Sequence, residues 1–234
     1  MSITTKIRVG AEWINDFHAD ACSQTDTSCR DDHAVGFYEE MGACGHEQVF
    51  CWGNDNAWER DFRHPDHGGD SLNWLDDVHF CFYSDHGGNF SNVMHIAFSK
   101  AVDRCLGNSG DWKLGDKRLK WFVLDCCQCV LNTSKTHVGD VWFPPAAGVH
   151  MIFGCVGNAS DCPAGTGRSF GRKAGRGDRL GYAWLDEASD NGTAIAMAYG
   201  ATRDEAINRR ENETIAWRDW DVSSPNWLAW MWRD

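Results

Sequence analysis

The sequence predicts an α/β fold with a mainly parallel central sheet and flanking helices. Two observations carry this expectation. Short apolar runs recur along the chain and alternate with helical stretches, the pattern of strands joined by crossover helices. Two of these runs, from Val78 to Ser84 and from Leu119 to Asp125, are β-prone and stop abruptly at polar residues. The first ends in Asp85-His86-Gly87-Gly88, the second in Cys126-Cys127-Gln128-Cys129.

In chain order, Ile7–Trp13 reads as a first strand, followed by a polar segment from Asn15 to Asp32 that holds Cys22 and Cys29. Asp32 is placed to cap a short helix from His33 to Met41, with Gly42 at its end. His46–Trp52 is a second strand, Asn56–Phe62 a helix, and His64–Gly69 an irregular loop. After the His86 strand, Val93–Cys105 fits a crossover helix, while Val93–Phe98 alone fits a strand equally well. The Cys127 strand follows, then a buried strand over Val149–Cys155. Gly157–Gly181, rich in glycine and charge, reads as a long mobile, solvated loop. Arg179–Ala188 and Thr202–Asn212 read as helices, with a late strand over Thr193–Tyr199. Neither a repeat nor a linker divides the chain, so residues 1–234 are expected to form one domain.

Composition narrows the partners. A net charge of −12 disfavours nucleic acid and anionic membrane surfaces, because phosphates need a basic patch. The densest basic group, Arg168, Arg172, Lys173, Arg176 and Arg179, falls in the predicted loop. No stretch approaches the roughly 20 apolar residues that span a bilayer. Residues 1–13 lack the apolar core of a signal peptide, so a cytoplasmic location is expected, with the eleven cysteines mostly as thiols. On that expectation the Asn-X-Ser/Thr sites at Asn89, Asn132, Asn158, Asn191 and Asn212 carry little meaning. Thirteen tryptophans suggest an aromatic-lined pocket beyond the needs of the core.

Ligands of α/β sheets bind beyond the carboxyl ends of the strands. Were the His86 and Cys127 strands parallel neighbours, an imidazole and a thiol would emerge side by side there. An imidazole near a thiol favours the thiolate, which is the nucleophile. Gly87 allows close approach of a substrate backbone and can turn its N–H toward an oxyanion. Asp85 and Asp125 flank the pair and suit either orientation of His86 or a strand-end turn or helix cap. The bland reading of Cys127 and His86 is a core cysteine and a capping histidine.

An apolar strand ending in His-Gly, followed by one ending in X-X-Cys, resembles the caspase–legumain–gingipain group of cysteine peptidases. That resemblance implies a caspase-like three-layer sandwich and a histidine–cysteine dyad. It selects Cys127 over Cys126 as nucleophile, while cysteines at 126 and 129 keep the assignment open. A longer resemblance, to a family of uncharacterised microbial domains, rests on Glu12-Trp13, Gly36-Phe37-Tyr38, Trp52-Gly53 and Ala57-Trp58-Glu59-Arg60-Asp61-Phe62. It continues through Ser84-Asp85-His86-Gly87, Val123-Leu124-Asp125-Cys126-Cys127 and Gly148–Gly154. It brings no activity, but its His-Gly and Asp-X-Cys positions coincide with those of the peptidase-like pattern.

Trp52 and Trp58 are candidate substrate contacts because they end or follow a strand, and His150 because it lies on the strand after Cys127. Glu12, Trp13, Glu59 and Asp61 read as framework or pocket wall. Trp217, Trp220, Trp227, Trp230 and Trp232 suit either sealing of the core or covering of the site. Metal chemistry is the rival. Its candidate groups are Cys22/Cys29/His33, Cys44/His46/Cys51, His64/His67 and Cys126/Cys127/Cys129, none with paired C-x-x-C spacing. No metal and no cofactor is therefore expected. The favoured function is thiolate attack on a carbonyl of a peptide or a small amide, ester or thioester. The alternatives are a small-molecule cyclase or lyase with a Trp-lined pocket, and an inactive binding module.

Overall fold

The computed structural model describes residues 6–18, 21–100, 103–130, 138–160, 165–222 and 224–234. Among them, ten strands form two sheets. The large sheet takes β1 (Arg8–Trp13), β2 (Glu47–Gly53), β3 (Phe80–Ser84), β7 (Trp121–Asp125), β8 (Met151–Val156), β9 (Thr193–Gly200) and β10 (Trp227–Arg233). Their order is β10-β9-β8-β7-β3-β1-β2. The run from β2 to β8 is parallel, and β9 and β10 close the far edge antiparallel. The mainly parallel sheet expected from the sequence is thus present. A small antiparallel sheet of β4 (Gly87–Phe90), β5 (Val93–Ala97) and β6 (Leu106–Asn108) follows β3 directly. Of the two readings of Val93–Phe98, the strand is the one formed.

Alternation along the strands divides the core. Phe80, Phe82, Trp121, Val123 and Phe153 face one side, and Cys81, Tyr83, Phe122, Leu124 and Ile152 the other. Helices α1 (Arg30–Ala43), α3 (Thr166–Gly175) and α4 (Leu180–Ala188) cover the first face. Phe37 of α1 lies 5.0 Å from the Phe80 ring and 5.1 Å from Phe82. Phe170 of α3 lies 5.7 Å from Phe153 and 5.3 Å from Trp184. Each fully buried ring contributes roughly 1.5–3 kcal/mol of apolar transfer. The opposite face is covered by β4–β6, short 3₁₀ turns and the short helix α2 (Val138–Trp142), with Phe62, Trp112 and Trp142 at its centre. The last helix, α5 (Arg203–Asn212), packs against β9 and β10.

Three expectations need correction. The first helix begins at Arg30, ahead of Asp32. Asn56–Phe62 forms 3₁₀ turns at Asn54–Asn56 and Glu59–Asp61, which bury Glu59 and Asp61. The segment read as a solvated loop holds α3, a packed helix. Its glycines recur at 167, 171 and 175, so they form one stripe at i, i+4 spacing rather than a turn signal. That stripe lets α3 meet α1 backbone to backbone. A Cβ on Gly167 would lie 1.9 Å from the His33 carbonyl oxygen, and one on Gly171 would lie 2.8 Å from that of Phe37. Three of the five basic residues are paired: Arg168 with Glu39 at 2.6 Å, Arg172 with Glu40 at 2.9 Å, and Lys173 with Glu187 at 2.6 Å.

Gly167→Ala is expected to destabilise the fold by about 1–3 kcal/mol or more, since α1 must shift to admit the methyl group. Ser169→Ala, on the same helix away from that stripe, should change stability by less than about 0.5 kcal/mol. Urea unfolding of the two variants checks this.

Candidate active site

The direction of chain winding changes between β1 and β3. From β1 the chain goes to β2 on one side, and from β3 it proceeds to β7 and β8 on the other. Loops leaving the two strands diverge there and open a crevice at the carboxyl edge, where ligands of α/β sheets bind. The register of β3 and β7 ends at Ser84 opposite Asp125, and the Asp85 N–H still donates to the Asp125 carbonyl at 3.3 Å. His86 and Cys127 each follow two residues after that last pair, on adjacent parallel strands at the same end.

Gly87 fits the two strand ends together. A Cβ there would stand 2.6 Å from Cys126 Sγ and 2.8 Å from the Cys127 carbonyl oxygen. The Ala97 N–H donates to the His86 carbonyl at 3.2 Å, so the next pair, Gly87 with Ile96, is a non-hydrogen-bonded pair. The Gly87 N–H therefore points away from β5.

His86 is half-buried, packs 5.6 Å from the Phe17 ring, and holds the Thr25 carbonyl at 2.8 Å through Nε2. A carbonyl only accepts, so Nε2 carries the proton and the basic lone pair of the neutral ring is on Nδ1. Cys127 Sγ accepts the Ala159 N–H at 3.4 Å and faces the Ala159 carbonyl at 3.6 Å. The described hydrogen bonds of the two side chains thus run to separate loops. Cys127 is half-buried, whereas Cys126 and Cys129 are buried with their sulfurs 3.7 Å apart. Burial pushes the Cys126 thiol well above its usual range, which keeps it protonated. Of this cysteine trio, Cys127 is the one that solvent reaches.

Asp125 serves a different histidine from the expected one. It is 1% exposed, and its Oδ2 accepts from His33 Nδ1 at 2.6 Å and Ser84 Oγ at 2.7 Å, with Arg30 Nη1 at 3.7 Å. Burial alone would raise its pKa. The hydrogen bond and charge of His33, the Arg30 charge and the Ser84 hydroxyl outweigh burial and hold it below the usual carboxylate range. Asp85 is also buried, with the Tyr83 hydroxyl 3.4 Å from its Oδ2. Sequence reading gave Arg30 and Ser84 no role at the site and placed His33 only in a candidate metal group. The available signal was a spacing: Arg30, His33 and Phe37 fall at i, i+3 and i+7 of one helix, which puts two polar side chains on its apolar stripe.

A cavity of about 230 Å³ opens beside His86, lined also by Gln24, Gly87, Gly88, His95 and the exposed rim residues Phe90 and Leu106. Its outer wall is stapled, because a disulfide joins Cys22 to Cys105, whose neighbour Leu106 lines the cavity. Cys29 is disulfide-bonded as well. These bonds remove Cys22 and Cys29 from any metal set, and among the described residues no group of three or more His, Cys, Asp or Glu side chains converges to hold an ion.

Trp52 and Trp58 do line a cavity, but a separate one, with Trp74, at the end of β2. His150 is corrected outright. It precedes β8 beside Lys120, at the amino end of the sheet, because parallel pairing aligns Trp121 with Met151. There it bonds Glu213 at 2.6 Å, which also binds Trp121 Nε1 at 2.8 Å and Arg209 at 3.0 Å. The C-terminal tryptophans do not cover the site either. Trp227, Trp230 and Trp232 belong to β10, at the far edge of the sheet, and Trp217 stacks on Trp220 at 4.7 Å.

Asp125→Asn should cost about 3–5 kcal/mol at neutral pH, because Arg30 and His33 lose their buried counter-charge. The folded pKa of Asp125 is lowered, so its stabilisation is complete above the ordinary carboxylate pKa of about 3.9 and fades as pH falls through the lowered value. The gap between wild type and variant, read by denaturant unfolding, should narrow only on that acidic side. Cys22→Ser/Cys105→Ser should lose up to about 4.5 kcal/mol, the chain-entropy value for a loop of 83 residues. It should also speed hydrogen exchange in residues 21–28 more than in β3.

No curated protein matches the chain. Residues 11–234 match the family described as "Domain of unknown function (DUF6345)", a span that takes in the paired strand ends, the stapled cavity and the tryptophan cavity, and the chain belongs to that family.

Proposed function

We propose that this protein is a cysteine-nucleophile hydrolase or acyl transferase, with Cys127 and His86 as its dyad. One observation carries the reading: two strands paired in parallel end in register, and each delivers its reactive side chain two residues past the last pair. Three others support it. Cys127 is the accessible thiol of its trio. The Ala159 N–H on its sulfur stabilises negative charge there. The Gly87 N–H is turned away from β5 and left to meet an oxyanion.

In this mechanism the Cys127 thiol gives its proton to His86 Nδ1, and the thiolate attacks the substrate carbonyl. Backbone N–H groups of Gly87 and Cys127 hold the tetrahedral oxyanion. The imidazolium returns the proton to the leaving amine, alcohol or thiol, forming a thioester on Cys127. Water, or another acceptor deprotonated by His86, then takes the acyl group. Asp125 is a positioning residue. It fixes the strand end beneath Cys127 through Arg30, His33 and Ser84.

A caspase-like three-layer arrangement is part of the proposal. It is supported by the adjacency of the His and Cys strands and by the helices packed on one face of the sheet. A small amide, ester or thioester is favoured over a long peptide, since the His86 cavity holds only about 230 Å³. The same small volume favours the second reading, a cyclase or lyase that uses His86 for proton transfer without attack by sulfur. On location, no described helix is long and apolar enough to cross a membrane. The Cys22–Cys105 disulfide argues for an oxidising compartment, against the cytoplasmic expectation.

Iodoacetamide near neutral pH should label Cys127 ahead of every other free thiol, and His86→Ala should slow that labelling. Against a panel of small esters and thioesters, Cys127→Ala and His86→Ala should each abolish turnover, with the double variant scarcely worse. Turnover that survives Cys127→Ala and Cys127→Ser but not His86→Ala would move the assignment to the cyclase or lyase reading.

A further inference from the structure

We propose that the tryptophan cavity at the end of β2 binds an organic cation, a substituted ammonium group held against indole faces with carboxylates around it. This site is independent of the chemistry at Cys127.

The cavity encloses about 260 Å³, and its walls are Trp52, Trp58 and Trp74, with Arg60, Asp61 and Asp70 at its polar side. Trp52 and Trp74 stand nearly perpendicular, at 77° and 5.9 Å between centroids. Trp58 is 41% exposed, although its Nε1–H donates to the Asp55 carbonyl at 2.8 Å and so holds the ring in place. Three indoles converging on one open cavity with a few charged groups give the mainly apolar lining that ligand sites use.

Charge selects the ligand. Two carboxylates line the cavity against one guanidinium. A third acidic side chain stands behind it. Glu12 of β1 pairs in register with Trp52 on one side and Tyr83 on the other, and is 1% exposed. Its Oε2 has no hydrogen-bond partner among the described residues. Burial, then the charge of nearby Asp61, pushes Glu12 well above its usual range, and burial pushes Asp61 up to about 7. Burial without a counter-charge is what raises both groups, so a cation bound here would supply the missing compensation and favour their ionised forms, whereas an anion would add to the cost. A neutral apolar ligand would leave Asp61, 5% exposed, further desolvated without compensation. A cation answers both the carboxylates and the negative indole faces.

The cavity already shows this complementarity. The Arg60 guanidinium carbon lies 5.7 Å from the centre of the Trp58 ring, and Arg60 Nη2 is 3.6 Å from Asp70 Oδ2. Arg60 is half-exposed and long enough to swing out. It occupies the aromatic and acidic surfaces as a resident cation that an incoming ammonium group would displace.

The test uses the intact chain and two probes of the same shape, choline and its neutral isostere 3,3-dimethyl-1-butanol. NMR titration of the tryptophan indole N–H signals gives both affinities. Choline should bind about tenfold or more tightly than the alcohol. Trp58→Ala should weaken choline by about tenfold, while Arg60→Ala should tighten it several-fold by removing the competitor. Trp58 is exposed, so unchanged circular dichroism is expected for that variant, and Arg60→Ala supplies an independent arm. Equal affinity for the two probes, weaker choline binding in Arg60→Ala, or no choline shift at tens of millimolar would each overturn the proposal. None of these readouts depends on turnover.

Discussion

The buried carboxylate of Asp125 is the contact on which the carboxyl edge depends. It is the last paired residue of β7, and it gathers Ser84 from β3 together with Arg30 and His33 from α1. Three elements therefore meet at one ionised group that water does not reach. A buried charge of this kind gains little net stability over an apolar substitute, because desolvation offsets much of the Coulomb term. Its effect is geometric. The two strand ends cannot slip relative to each other without breaking the pairing of Asp125 with Ser84, and α1 cannot move without stranding Arg30. Cys127 leaves the sheet two residues beyond this anchor, so its position inherits the anchor's rigidity.

The amino end of the sheet is held by a comparable device. Glu213, at the end of α5, joins His150, Trp121 and Arg209 in a buried network under β7 and β8. Strand β7 thus has a buried carboxylate at each end, Glu213 just past α5 and its own Asp125, which meets α1. Between them the aromatic core fills both faces with rings 5 to 6.3 Å apart. Such packing leaves little room for motion within the sheet. The two side chains at the edge are met by loops: His86 by the 21–28 segment through Thr25, and Cys127 by Ala159.

The arrangement also separates the roles of the histidines. His33 and His150 are fully buried and tied to carboxylates, His33 to Asp125 and His150 to Glu213. His86 is half-buried, borders a cavity, and engages only a backbone carbonyl among its described hydrogen bonds. A ring clamped in a buried ion pair cannot readily exchange protons with a substrate. A ring at a cavity wall can.

The strands of the large sheet other than β10, and the two abrupt strand ends, were legible in the sequence, because period-two alternation and apolar runs are local properties of the chain. They put His86 and Cys127 at comparable positions before any contact was known. They also singled out Trp52 and Trp58, one ending a strand and the other following it into polar residues. Other features depended on which surfaces meet. Glycines 167, 171 and 175 look like loop residues until α1 lies against them, because a missing side chain becomes a packing surface only with a neighbour present. Asp125 reads as a partner for His86 at the neighbouring strand end, whereas the fold sets His33 of α1 against it. His150 seemed to adjoin the site because it shares a strand with its far end; direction and register, both set by hydrogen bonds between strands, put it at the opposite edge. The Cys22–Cys105 bond joins residues 83 apart, a proximity that no local pattern encodes. The sequence by itself determined which side chains end the strands. Only tertiary structure decided which of them share an edge, which are clamped by buried charge, and which face a cavity.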